Sequence, residues 1–171
     1  MFDFRKYITS VPDFPSVGID FKDITPLLAN AKAMQHATDA LFEMVKNEGI
    51  TKVVGIESRG FIFAPLLAAR LGVGFVPIRK PNKLPRKTVS QSYALEYGKD
   101  TLHMHADAIV KGDRVLLHDD VLATGGTAAA ACGLIRQLGG DVVQCNFIIG
   151  LSFLNGAEKL SGVPIQTLVT Y

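Results

Sequence analysis

The chain has 171 residues, 48% of them hydrophobic, and 18 basic against 16 acidic residues leave a formal charge of +2. That length and apolar content fit a single compact domain spanning residues 1–171, and so even a charge balance excludes a surface given over wholly to nucleic acid or anionic lipid. No apolar run reaches the ~18 residues of a membrane span, and Asp3, Arg5 and Lys6 interrupt the stretch where a secretory signal would be apolar, so a cytoplasmic protein is expected.

In chain order, residues 31–47 place Met34, Ala37, Leu41, Met44 and Val45 on one helical stripe, with Lys32, Gln35, Asp39, Glu43 and Lys46 off it and Gly49 as a stop signal. Residues 52–56, KVVGI, form a short β-branched run that predicts a strand buried on both faces. Residues 60–71 predict a helix that is apolar nearly all round, and residues 74–78, GFVPI, a second buried strand. Residues 80–100 break the alternation: with Pro81, Pro85 and many basic side chains they read as a long loop or a projecting hairpin, and such excursions are usually lids or binding segments. His103 and His105 alternate on one face of a strand but lack a third ligand nearby, which argues against a metal there. Residues 114–117 and 142–149 predict two more strands, and residues 127–138 an Ala-rich helix closed by Gly139-Gly140. Strands alternating with helices predict an α/β domain with a mainly parallel sheet. Cys132 and Cys145 lie in apolar segments and match no zinc spacing, so buried free thiols in a reducing compartment are expected.

The densest chemistry lies in residues 115–127, VLLHDDVLATGGT. A buried strand is expected to end in Asp119 and Asp120, after which a Thr-Gly-Gly-Thr turn opens a helix. Glycines admit an anion close to backbone N–H groups, hydroxyls add donors, and the helix N-terminus adds partial positive charge, so the turn suits a phosphate. Two acids beside a phosphate need hydrogen-bond donors or a divalent cation to face, and sugar hydroxyls would serve. Phosphate at the turn and ribose at the acids together describe a ribose 5-phosphate. Neither G-x-x-x-x-G-K-[ST] nor G-x-G-x-x-G occurs, which removes the P-loop and dinucleotide-binding alternatives.

HDDVLATGGT resembles the signature by which type I phosphoribosyltransferases bind phosphoribosyl pyrophosphate (PRPP). PDFPSVGIDFKDITPLL, GIESRGFIFAPLLA, IRKPNKLP, SYALEYGKD and IIGLSFLNGAEKL extend the resemblance, in order, to the adenine-specific members over nearly the whole chain. The resemblance implies the type I phosphoribosyltransferase fold, a mainly parallel twisted sheet flanked by helices. A small N-terminal hood over residues 1–30 and a flexible lid loop over residues 80–100 go with it. It implies transfer of ribose 5-phosphate from PRPP to adenine, giving AMP and pyrophosphate in purine salvage, with Mg2+ held through PRPP, pyrophosphate and water and with no direct protein ligand.

By the same resemblance Ala123, Thr124, Gly125, Gly126 and Thr127 hold the 5-phosphate, and Asp119 and Asp120 the ribose hydroxyls. Arg59, in the SRG turn, binds pyrophosphate. Arg79, Lys80 and Lys83 also reach pyrophosphate, in part across a homodimer interface. Glu96 and Tyr97 form the tip of the lid, Glu96 handling the proton of the base, while Phe21 and Leu151 sandwich the purine. Lys22, Gly150 and His118 depart from the family pattern. Lys22 and Gly150 flank the presumed base pocket and bear on base preference, so a transferase for a 6-oxopurine or pyrimidine stays open as a rival, as does a PRPP-sensing regulator of the same fold.

Overall fold

The structure, a computed structural model, describes residues 2–94 and 99–171. It divides into two compact units, Met1–Ala40 and Leu41–Tyr171. In the first, a 3₁₀ turn over Phe4–Tyr7 is capped by Asp3, whose carboxylate accepts the Arg5 N–H. It leads into an antiparallel hairpin of β1 (Thr9–Pro12) and β2 (Asp20–Asp23), in which Val11 pairs with Phe21. Helix α1 (Thr25–Ala29) follows, and then α2 (Ala31–Glu43), where the Asn30 side chain accepts the Ala33 N–H at 3.0 Å as an N-cap does. The helix expected over residues 31–47 stops at Glu43. Beyond it the N–H groups of Val45 and Glu48 reach back only three residues, to Phe42 and Val45, and the tightened turn ends at Gly49 with φ +61°.

The second unit continues with β3 (Lys52–Ile56), α3 (Gly60–Leu71), β4 (Gly74–Ile78), β5 (Thr88–Ala94), β6 (Lys99–His105), β7 (Arg114–Leu122), α4 (Gly126–Gln137), β8 (Asp141–Gly150) and β9 (Ile165–Thr170). Five of these strands form a parallel sheet in the order β4-β3-β7-β8-β9. The chain builds outward from β3 to β4 and then crosses to β7 on the other side of β3. A crevice outside the carboxyl ends of β3 and β7 is where an open α/β sheet binds its ligand. Side chains of β7 alternate between faces: Val115 and Leu117 join a buried core with Ala131, Leu134 and Ile135 of α4, whereas the His118 ring lies 6.2 Å from Phe63 of α3. The two helices therefore cover opposite faces.

Two expectations change in detail. Strand β7 does not end at its acids but runs through them to Leu122, because β8 offers partners as far as Gly150. The 80–100 excursion divides: residues 80–87 are turns and loop, and residues 88–94 pair with residues 99–105 as the stem of a hairpin, from the Thr88–His105 pair to the Ala94–Lys99 pair. Leu102 and Met104 are fully buried, and Arg79 and His103 exchange backbone hydrogen bonds of 2.9 and 2.8 Å, so the stem is anchored to the sheet. Cys132 and Cys145 are buried and unbridged, with their sulfurs 3.7 Å apart.

Candidate active site

The carboxyl ends of β3 and β7 bring Arg59, Asp119 and Asp120 together. Arg59 Nε lies 2.7 Å from Asp120 Oδ2, while Asp119 Oδ1 accepts the Asp120 N–H at 2.9 Å. Gly60 makes the approach possible, since a Cβ there would come within 2.9 Å of Asp119 Oδ1 and 3.0 Å of the His118 carbonyl. Burial pushes the Asp119 carboxyl well above the ordinary carboxylate range, and the neighbouring Asp120 charge pushes it further. Burial raises Asp120 too, against the opposing pull of Arg59. Asp119 is half-buried and Asp120 buried, and adjacent hard carboxyl oxygens of this kind suit hydroxyl donors or a divalent cation such as Mg2+.

Immediately downstream, Ala123 to Thr127 make the turn into α4. Gly125 has φ +75°, open to glycine at little cost, and stands at the helix N-cap. A cavity of about 80 Å³ is lined by Asp119, Ala123, Thr124, Gly125 and Thr127. A small cavity at a helix N-terminus, rimmed by hydroxyl-bearing residues, is suited to a phosphate group.

Arg79 and Lys80 follow β4. Arg79 donates from Nε and Nη2 to the two oxygens of Glu57, each at 3.2 Å, and the Lys80 N–H adds a third bond to Glu57 at 2.9 Å. That bidentate hydrogen bond to Arg79 holds the Glu57 carboxyl below its ordinary pKa despite burial. Lys80 Nζ is paired with Asp100 of β6 and lies 3.3 Å from Tyr93 Oη of β5. Burial works against the Lys80 charge, but Asp100 and Tyr93 outweigh it and raise its pKa, while the bond from Lys80 lowers that of Asp100. The Lys83 backbone carbonyl accepts from Arg79 at 3.5 Å. Glu96 and Tyr97 lie outside the described residues.

Leu151 is half-buried at the end of β8, its N–H bonded to the Leu122 carbonyl at 2.9 Å. In the first unit Phe21 is half-buried, its ring edge-on to Phe14 at 5.2 Å. Lys22 turns its ammonium to Ser10 Oγ at 2.6 Å and Asp20 Oδ2 at 2.7 Å. His118 is fully buried, with Nδ1 2.7 Å from Asn146 Oδ1, and burial lowers its pKa to about 4, so it is neutral and belongs to the sheet interior. His103 meets Thr88 Oγ1 at 3.2 Å. Sequence reasoning missed Glu57, Asp100 and Asn146 as partners; an acid directly after a buried strand was the one signal available, and it applies to Glu57 alone.

A family model described as the phosphoribosyl transferase domain matches residues 23–159. The chain belongs to that family and is a pentosyltransferase. The adenine phosphoribosyltransferase of Flavobacterium johnsoniae is 57% identical over 167 residues, covering 98% of each chain. The crystal structure of adenine phosphoribosyltransferase from Thermoanaerobacter pseudethanolicus superposes with a TM-score of 0.96 at 46% identity, over 98% of both chains. That of the Saccharomyces cerevisiae enzyme, complexed with an iminoaltritol bisphosphate and adenine, gives a TM-score of 0.93 at 41% identity, over 97% of this chain and 96% of the other. Within the phosphoribosyltransferases, these likenesses put the chain among the adenine phosphoribosyltransferases.

Proposed function

We propose that this chain transfers the ribose 5-phosphate of PRPP to a ring nitrogen of adenine, giving AMP and pyrophosphate. The observation that carries the residue assignment is the pairing of Arg59 with Asp120, beside Asp119 and at the head of the glycine turn. In the reaction the bond from the anomeric carbon to a pyrophosphate oxygen breaks and a carbon–nitrogen bond forms, through a transition state like an oxocarbenium ion, with no protein nucleophile. The turn from Ala123 to Thr127 holds the 5-phosphate. Arg59 exchanges Asp120 for the departing pyrophosphate, and the exchange frees Asp120 to join Asp119 on the ribose hydroxyls. Arg79, Lys80 and Lys83 extend the cationic surface for pyrophosphate, in part across a homodimer interface. Phe21 and Leu151 sandwich the base beside Lys22, and Glu96, between β5 and β6, handles its proton with Tyr97 alongside, as the family resemblance implies.

The adjacent carboxyl oxygens of Asp119 and Asp120 fit Mg2+ carried in on PRPP and water, and the bound ion would supply charge neutralisation to the leaving group. The free thiols fit a reducing cytoplasm, and among the described residues no helix is long and apolar enough to cross a membrane. Initial rates with PRPP, Mg2+ and each of adenine, hypoxanthine and guanine test the reading. A pocket that accepts from the 6-amino group and donates to a ring nitrogen meets a 6-oxo base with both polarities reversed, so adenine should lead by up to ~10⁴-fold. Comparable rates with hypoxanthine or guanine would move the base assignment to another purine; no product with any base would leave a PRPP-binding regulator.

A further inference from the structure

We infer that Gly156, outside the lining of the phosphate cavity, is a positioning residue that sets the shape of the phosphate turn from behind. The turn does not fix itself: its N-cap is Gly125, and among the described residues no side chain caps the helix it opens. What constrains it is another backbone. A Cβ on Gly156 would lie 2.1 Å from the Ala123 carbonyl oxygen and 2.8 Å from the Gly125 amide nitrogen, and a Cβ on Gly125 would lie 2.2 Å from the Gly156 carbonyl oxygen. Real Cβ atoms do not approach backbone so closely, so two glycines are required for the chains to touch.

Gly156 is itself held firmly. It is buried at the start of a 3₁₀ helix over Gly156–Leu160, and Leu160 is 3% exposed in the core shared with α4. Upstream, the Leu151 N–H bonds to Leu122, and Ser152 donates its N–H and Oγ–H to the Tyr171 carbonyl at 2.9 and 2.6 Å. Asn155 turns the strap at φ +52° into Gly156. The segment from Leu151 to Gly156 is thus anchored at both ends and presses a bare backbone on the turn whose amides would meet the 5-phosphate. It also joins the residue proposed to hold the base to the turn proposed to hold the phosphate.

The inference rests on the proposed phosphate role of the turn, and the experiment separates the two. AMP and pyrophosphate binding are measured by calorimetry for the wild type, Gly156→Ala and Thr127→Ala, each with its melting temperature. Gly156→Ala should weaken AMP by about ten-fold or more while leaving pyrophosphate within about two-fold, because pyrophosphate does not use the turn. A uniform loss for both ligands, or AMP binding within about two-fold of wild type beside a weakened Thr127→Ala, would overturn it. Unaltered AMP binding by Thr127→Ala would instead remove the phosphate role of the turn, and this inference with it. Should Gly156→Ala not fold, amide exchange on the wild type decides: AMP should slow exchange across Gly156–Leu160 and pyrophosphate should not, and equal exchange with and without AMP would refute the inference.

Discussion

Asp100→Asn should tighten pyrophosphate binding, although it removes a charged partner from the site. In the free protein the Lys80 ammonium belongs to Asp100 and Tyr93, with the Lys80 and Asp100 side chains 38% and 27% exposed. A fully buried charge-assisted bond would contribute ~1.5–3 kcal/mol, but a pair this open to solvent is screened to ~1 kcal/mol or less. Pyrophosphate must draw Lys80 away from that partner, so deleting the carboxylate removes about that cost, equivalent to roughly five-fold in affinity. Calorimetric titration with pyrophosphate in the presence of Mg2+, or its inhibition constant as a product, reads the change, and AMP affinity serves as the control. If pyrophosphate binds more weakly to the variant, Asp100 aims Lys80 at the ligand instead of competing for it. An unchanged constant would mean that Lys80 does not reach pyrophosphate.

Asp119→Asn should raise stability and lower function together. Burial raises the folded-state pKa of Asp119 above its unfolded value, so the unfolded chain loses this proton first and stability falls as pH rises from the ordinary carboxylate range toward the raised value. Asparagine has no proton to lose; the variant should melt above the wild type at about pH 8, with the gap closing near about pH 4. AMP binding should weaken by ~1.5–3 kcal/mol, and a melting gap independent of pH would contradict the account. Leu151→Ala strips apolar contact from the base and should raise the apparent constant for adenine by up to ~10-fold with that for PRPP little moved; equal effects on both would take Leu151 out of the base pocket.

The sheet was legible where burial on both faces left no ambiguity. KVVGI and GFVPI became β3 and β4 over the expected residues, and the helix over 60–71 likewise. Strand β9 was not, because IQTLVT mixes exposed and half-buried positions at the sheet edge and carries a weaker pattern than the central strands. The extent of β7 was misjudged for a different reason. Asp119 and Asp120 look like the end of a strand, since aspartate is depleted there, but the ladder to β8 continues past them to the Leu122–Gly150 pair. Tertiary pairing outweighed local preference at the very residues proposed to hold the ribose, and both acids are held in a sheet instead of a loop.

The acids, glycines and hydroxyls of the turn were readable because they are contiguous and each residue type has its own reason to be there. The partners of the cations were not, because they come from elsewhere in the chain: Glu57 is 22 residues from Arg79, and Asp100 is 20 from Lys80. Read along the chain, Arg59, Arg79 and Lys80 are free positive charges awaiting an anion. In three dimensions each already faces a carboxylate, Asp120, Glu57 and Asp100 in turn. In the proposed role of these cations, pyrophosphate would gain only the difference between its own contacts and those it displaces, and its affinity would be set by exchange of anions. Exchange of this kind also favours release, because every cation that gives up the product has an internal partner to return to. A site built from unpaired cations would hold pyrophosphate more tightly, so in the proposed reaction the carboxylates that look like competitors would ease the product's departure.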